Sequence, residues 1–241
     1  MPKFMDQQDI TGLRGYAFSA VRADSLGASE YTLATIAVDV SGSVAGFRDL
    51  LVETIKKTVA ACRKSPRAAN IMLRVITFSN GLNELHGFKP LQEIDDADYD
   101  KITVGGMTAL YDACATSIGA MTQYGRTLSA QDYGVNGILF VITDGSDNIS
   151  QFTADTVRSK SDEAVSGEVL ESFLSVLVGV NAASYAVQHA DFQSRAGITQ
   201  YVDAGAATPG NLAKLAAFVS RSVSSQASNL GAGAVPVSLV I

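Results

Sequence analysis

The stretch Leu33-Ala34-Thr35-Ile36-Ala37-Val38-Asp39-Val40-Ser41-Gly42-Ser43 decides the reading of this chain. Its first six residues form a short apolar run with β-branched members and no alternation, the pattern of a strand buried on both faces. Val44 to Lys64 follows, with Phe47, Leu50, Leu51, Ile55, Val59 and Cys62 at helical spacing, and Pro66 just beyond. Asp39, Ser41 and Ser43 therefore sit on a turn between a strand and a helix. In an open α/β sheet that edge is where ligands bind. The three residues offer hard oxygen atoms, which suit Mg²⁺, Mn²⁺ or Ca²⁺ rather than a soft metal. The same residue types also cap helices well, so this stretch alone supports either role.

Two later stretches repeat the theme. Ile138-Leu139-Phe140-Val141-Ile142-Thr143-Asp144-Gly145 is again an apolar strand that ends in an acid and a glycine. Gly105-Gly106-Met107-Thr108-Ala109-Leu110-Tyr111-Asp112-Ala113 is a glycine loop with a hydroxyl at the start of a helical segment. Taken in order, the three segments resemble the von Willebrand factor A family over roughly residues 30 to 225. That family's metal-ion-dependent adhesion site reads D-x-S-x-S, then a Thr, then an Asp. The matching positions here are Asp39, Ser41, Ser43, Thr108 and Asp144. Met107 separates the glycine pair from Thr108, where many members have Gly-Gly-Thr.

The resemblance implies a doubly wound α/β fold, a mostly parallel sheet flanked by helices in the Rossmann-like manner. It implies that Ser41, Ser43 and Thr108 contact a divalent ion, Mg²⁺ first and Mn²⁺ or Ca²⁺ as alternatives, while Asp39 and Asp144 act largely through water. Hydroxyl and water ligands leave the ion undercharged, and an octahedral ion keeps a further position open. An Asp or Glu carboxylate from a protein partner is the natural occupant. The expected function is a metal-dependent protein-interaction module. Residues 65–70 and 74–78 are similar to the corresponding region of tellurite-resistance-associated A-domain proteins, which implies a scaffold in a bacterial or phage stress- or defence-type complex. The alternatives are an assembly component whose metal site is not essential, and a metal-dependent hydrolase.

Composition narrows these classes. The chain has 241 residues, 47% of them hydrophobic, enough for a sizeable core. A net charge of −6 argues against a basic face for nucleic acid. No apolar run approaches the roughly 20 residues of a membrane span, and the N-terminus has no signal-peptide core. Two cysteines, Cys62 and Cys114, each fall in a helical segment and are expected to be buried, reduced thiols of a cytoplasmic protein. An enzyme is not expected. The chain has no P-loop, no G-x-G-x-x-G after a strand, no H-E-x-x-H and no G-x-S-x-G. Its two histidines, His86 and His189, read as surface or satisfied side chains away from the metal loops.

The organisation expected is one domain over residues 1–241. An N-terminal arm and hairpin extension occupies 1–29, the core 30–228 and an apolar tail 229–241. Leu13 to Ala23 and Tyr31 to Val38 flank a turn-rich segment and read as the two arms of the added hairpin. Ile71 to Phe78 reads as a strand, and Leu82 to Phe88 as an edge strand paired back on it. Helices are expected at 108–121, 153–165, 183–195 and 211–225, with further strands at 137–143, 172–180 and 199–202. Residues 125–136 read as polar connection. Residues 89–101 read as a solvated acidic loop, with Asp147 capping the segment that follows it.

Overall fold

In a computed structural model, which describes residues 7–167 and 169–228, eight strands form one sheet. They are β1 (Gln7–Thr11), β2 (Ala17–Val21), β3 (Glu30–Asp39), β4 (Ile71–Phe78), β5 (Leu82–Pro90), β6 (Gly134–Thr143), β7 (Ser172–Gly179) and β8 (Gln200–Asp203). Their spatial order is β1-β2-β5-β4-β3-β6-β7-β8. The ladders from β4 through β3, β6 and β7 to β8 are parallel, while β4 with β5 and β1 with β2 run antiparallel. Five helices complete the fold: α1 (Arg48–Cys62), α2 (Leu110–Ser129), α3 (Ala154–Ser166), α4 (Ala186–Ala196) and α5 (Pro209–Ser228).

The apolar runs of the sequence become the strands buried on both faces, as parallel strands must be when helices cover each side. Side chains alternate between two cores. Ile36, Phe140 and Val176 point to one, where α1 and α5 pack, and Phe140 meets Phe218 edge-on at 6.0 Å. Leu33, Leu139 and Leu177 point to the other, under α2, α3 and α4. Each such large apolar side chain contributes about 1.5–3 kcal/mol through burial.

A hairpin is added at the N-terminus, but its arms are β1 and β2, and β3 is not one of them. β2 docks three strands away from β3, outside β5, through a single parallel pairing of Ala20 with Phe88. β5 is therefore interior and not the edge. Arg74 and Glu84 make this junction. The guanidinium Nε donates to Glu84 Oε2 at 2.7 Å, and Ser19 donates to Glu84 Oε1 through its N–H at 2.8 Å and its hydroxyl at 2.7 Å.

Two further boundaries differ from the sequence reading. α2 continues through Gly125 to Ser129, because Gly125 serves packing: a Cβ there would sit 3.0 Å from Leu170. α1 begins only at Arg48. Residues Gly42–Phe47 form 3₁₀ turns instead, where Gly42 and Gly46 weaken α-helix formation and Ser43 is engaged elsewhere. Asp95 caps the 3₁₀ segment Asp96–Lys101 by accepting from the Ala97 N–H at 2.9 Å. The apolar tail at 229–241 lies outside the described residues.

Candidate functional site

β3 ends at Asp39 and β6 at Thr143, adjacent and parallel, so both acids emerge at the carboxyl edge of the sheet. Asp39 is buried and spends its oxygens inward. Oδ1 accepts from the Ser41 N–H at 2.8 Å, and Oδ2 accepts from the Thr143 hydroxyl at 2.6 Å. The Asx turn made by the first bond turns the chain back and presents both serines. The Ser41 and Ser43 hydroxyl oxygens lie 3.1 Å apart, and Ser43 donates to Asp144 Oδ1 at 2.8 Å.

The third segment is stitched to the first. The Gly105 N–H donates to the Val40 carbonyl at 2.8 Å, and the Gly42 N–H donates to the Gly106 carbonyl at 3.1 Å. Gly106 has φ +89° and a Cβ there would meet the Asn80 side chain at 2.8 Å, so glycine is required twice over. Met107 is accommodated in this turn: its N–H donates to Asn80 Oδ1 at 2.7 Å and its side chain points outward. Thr108 is buried, and its hydroxyl oxygen lies 3.8 Å from the position of a Cβ on Gly145. The structure thus links all three loops and brings Asp39, Ser41, Ser43 and Asp144 into bonded contact. Thr108 faces the Asp144–Gly145 turn.

The loop after β6 locks the start of α2. Thr108 and Asn148 exchange two bonds, the Thr108 N–H donating to Asn148 Oδ1 at 2.8 Å and the Asn148 N–H donating to the Thr108 carbonyl at 3.0 Å. Asp147 accepts from the Tyr111 N–H at 3.2 Å and from the Ser150 hydroxyl. It therefore caps α2 and not the segment that follows it. Asp112 returns the favour, accepting from the N–H groups of Gln151 at 3.0 Å and Phe152 at 2.8 Å. The run Gly145-Ser146-Asp147-Asn148 carried a capping signal, but its target lies some forty residues back in the chain.

His189 corrects the sequence reading more sharply. It sits under the site loop, its Nε2–H donating to the Gly145 carbonyl at 2.7 Å, and its other nitrogen lies 3.4 Å from the Tyr201 hydroxyl. A carbonyl can only accept, so the Nε2 proton is committed to the loop, a role of support and not of base. His86 is buried and bonded to Tyr99 at 2.8 Å.

The oxygen set fits a hard cation. In an octahedron with bonds of about 2.1 Å, neighbouring ligand oxygens lie about 3.0 Å apart, close to the spacings among Ser41, Ser43 and Asp144. Burial raises the Asp39 carboxyl above its ordinary range against the bonds from Thr143 and Ser41, with Asp144 adding to the rise. Burial likewise raises Asp144, opposed by Ser43. Two facing carboxylates in a desolvated turn are relieved by a cation. Among the described residues, no three His, Cys, Asp or Glu side chains gather. A cation here would rest on two acids and neutral hydroxyls. Beside the loops, a cleft of about 200 Å³ is lined by Ser79, Asn83, Lys101, Thr103 and Gly105 among others.

No protein-family description matches the sequence, and no curated protein does. Solved structures do match. The vWF domain of the type V pili tip protein Mfa5 from Porphyromonas gingivalis aligns with TM-score 0.54 at 10% identity, over 82% of this chain and 96% of that one. The PilB minor pilin from Streptococcus sanguinis aligns with TM-score 0.57 at 13% identity, over 87% and 65%. Proximal thread matrix protein 1 from the mussel byssus, with a zinc-occupied MIDAS motif, aligns with TM-score 0.54 at 17% identity, over 83% and 46%. This chain therefore spans about half the length of the mussel protein. The likeness establishes a fold of the von Willebrand factor A type.

Proposed function

We propose that this chain is a divalent-metal-dependent protein-interaction module. Ser41, Ser43 and Thr108 hold the ion directly, and Asp39 and Asp144 hold it through water. The ion, Mg²⁺ first, supplies a Lewis-acidic position that an Asp or Glu carboxylate of a protein partner fills. The observation that carries this reading is the Ser41–Ser43–Asp144 contact: the two serine hydroxyls stand 3.1 Å apart, at ligand-to-ligand spacing, and Asp144, 101 residues beyond Ser43, is bonded to it. With neutral hydroxyls and waters as the direct ligands and the two acids one water away, the cation keeps much of its charge toward its open position, so a further anion is favoured. Closing an interface over that pair lowers the local dielectric and strengthens it.

The chain contributes orientation. Asp39 fixes the serine turn, Asn148 fixes Thr108, Asp147 fixes the first turn of α2 behind it, and His189 supports the Gly145 carbonyl. Both histidines are bonded within the protein, which supports a binding role over hydrolysis. Among the described residues no helix is long and apolar enough to cross a membrane. We assign the module to the cytoplasm on its two free, buried thiols, and to a stress- or defence-type complex on the sequence of residues 65–70 and 74–78.

The test is retention of native-host proteins on the immobilised chain with Mg²⁺ and with chelator, then titration of the retained partner against wild type and Asp39→Ala. Affinity that ignores both chelator and the substitution removes the metal-bridged reading. It would leave the N-terminal hairpin as the binding surface.

A further inference from the structure

Three exposed apolar side chains lie on or beside the loops that form the candidate metal site. Met107 is 45% exposed, Ile149 40% and Tyr185 37%. Single exposed apolar residues are ordinary, but these three are joined through the site itself. The paired bonds of Thr108 with Asn148 set Met107 and Ile149, each one residue outward, on neighbouring strips of chain. His189 holds the Gly145 carbonyl from below, and the Tyr185 ring lies 6.4 Å from its imidazole. This apolar ring is therefore drawn from three segments: the loop before α2, the loop after β6 and the turn before α4.

Val187 gives the contrast. It is 81% exposed and lies in the first turn of α4, two residues before His189. At 100° per residue that puts it about 200° round the helix, turned away from the site.

Resting on the reading under Proposed function, we infer that the partner presents its carboxylate between apolar side chains, which Met107, Ile149 and Tyr185 receive. Met and Tyr are enriched at interface cores. Apolar contacts around a charged bond exclude water and keep the dielectric low where the bond forms. The net charge of −6 disfavours a broadly acidic partner surface, so a single acid in apolar surroundings is the complement.

Two blocked pentapeptides test this, each with a central glutamate, one flanked by leucines and one by serines. Binding is followed by chemical-shift titration in Mg²⁺ and in chelator, and metal loading separately by Mn²⁺ electron paramagnetic resonance. The leucine peptide should bind wild type about tenfold more tightly in Mg²⁺. That preference should fall in Ile149→Ser and Met107→Ser, persist in Val187→Ser, and leave Mn²⁺ affinity unchanged in all three. Equal binding of the two peptides would overturn the apolar ring and leave the metal-carboxylate reading standing. Mn²⁺ binding with neither peptide retained would overturn both. Mg²⁺-dependent self-association lost in Ile149→Ser would overturn the partner assignment and give the ring to a second copy of this chain.

Discussion

Thr108 and Asn148 hold each other by two hydrogen bonds, one through the Asn148 side chain and one between backbones. Neither group needs to touch a metal for this pair to matter. It fixes where the Thr108 hydroxyl stands relative to Asp144, four residues before Asn148. Residues that orient metal ligands cost about 10–100-fold in affinity when removed. Asn148→Ala should therefore weaken Mn²⁺ binding by about tenfold, while Asn148→Asp, which keeps the acceptor, should retain most of it. Equal loss in both variants would show that the loop position does not depend on this bond.

Asp39 separates charge from architecture. Its carboxylate is buried and holds both the Ser41 N–H and the Thr143 hydroxyl. Asp39→Ala leaves those donors unpaired and should cost about 1–3 kcal/mol, more than a surface loop position would. Asp39→Asn keeps the Ser41 bond, removes the repulsion with Asp144, and should leave the metal-free protein as stable as wild type or more so. Both variants should lose metal and partner binding together. Ser41→Ala removes one neutral ligand that water can replace, and should weaken binding less. Calorimetric melting with and without Mg²⁺ reads both effects, and Mg²⁺-stabilised Asp39→Asn would contradict the assignment.

Acid stability should depend on His86. Its Nδ1–H donates to the Gly87 carbonyl at 3.0 Å, which leaves Nε2 to accept from the Tyr99 hydroxyl. Burial pushes its pKa down to about 4, against an ordinary 6.5. The neutral ring is native, so its contribution is complete above pH 6.5 and is lost as pH falls toward 4. Between pH 6.5 and 5 the loss is about 2 kcal/mol, at 1.36 kcal/mol per unit. The raised carboxyls of Asp39 and Asp144 act in the opposite direction, so the comparison is with His86→Gln. Urea midpoints at pH 7 and pH 5 should converge for wild type and variant, and parallel midpoints would remove the effect.

What could be read in advance follows burial. β3, β4, β6 and β7 are covered on both faces, so their apolar runs were legible, and the acids and hydroxyls at their ends marked the site loops. The docking of the hairpin was not legible. It rests on one ladder position, on Ser19 reaching Glu84, 65 residues on, on Phe18 against Phe88, and on the Tyr124 hydroxyl donating to the Val21 carbonyl, 103 residues back, with no local periodicity to announce it. The roles of Asn148, Asp147 and His189 were hidden for the same reason. Each side chain serves a segment about forty residues away. Gly125 misled because glycine in a helix usually signals an end, and here it admits Leu170.

The two cysteines should be chemically silent in the native state. Cys62 and Cys114 are free and buried. Burial pushes the Cys62 thiol up to about 12, and burial with Asp147 raises Cys114 as well. With almost no thiolate at neutral pH, neither should react with a thiol reagent until the chain unfolds. Rapid labelling of the folded protein, or an intact mass two protons short, would contradict this.

The N-terminal hairpin should detach through Gly87. β2 lies so close to β5 here that a Cβ on Gly87 would stand 1.8 Å from the Ser19 carbonyl oxygen. Backbone cannot yield at that distance without losing the neighbouring Ala20–Phe88 pairing and the two Ser19 bonds to Glu84. Phe18 would leave its edge-on contact with Phe88 at 6.3 Å, and exposure of that ring costs about 1.5–3 kcal/mol. The core under α1 and α5 contains no residue of the hairpin, and of its buried residues the other core loses only Phe18, Ala20 and Ala23 with it. Gly87→Ala should therefore open residues 7–26 to protease while β3 to β8 still melt cooperatively. Gly81→Ala is the control, since a Cβ there meets nothing within 4 Å. Equal protection of the hairpin in the two variants would mean that β2 is held by contacts other than those around Gly87.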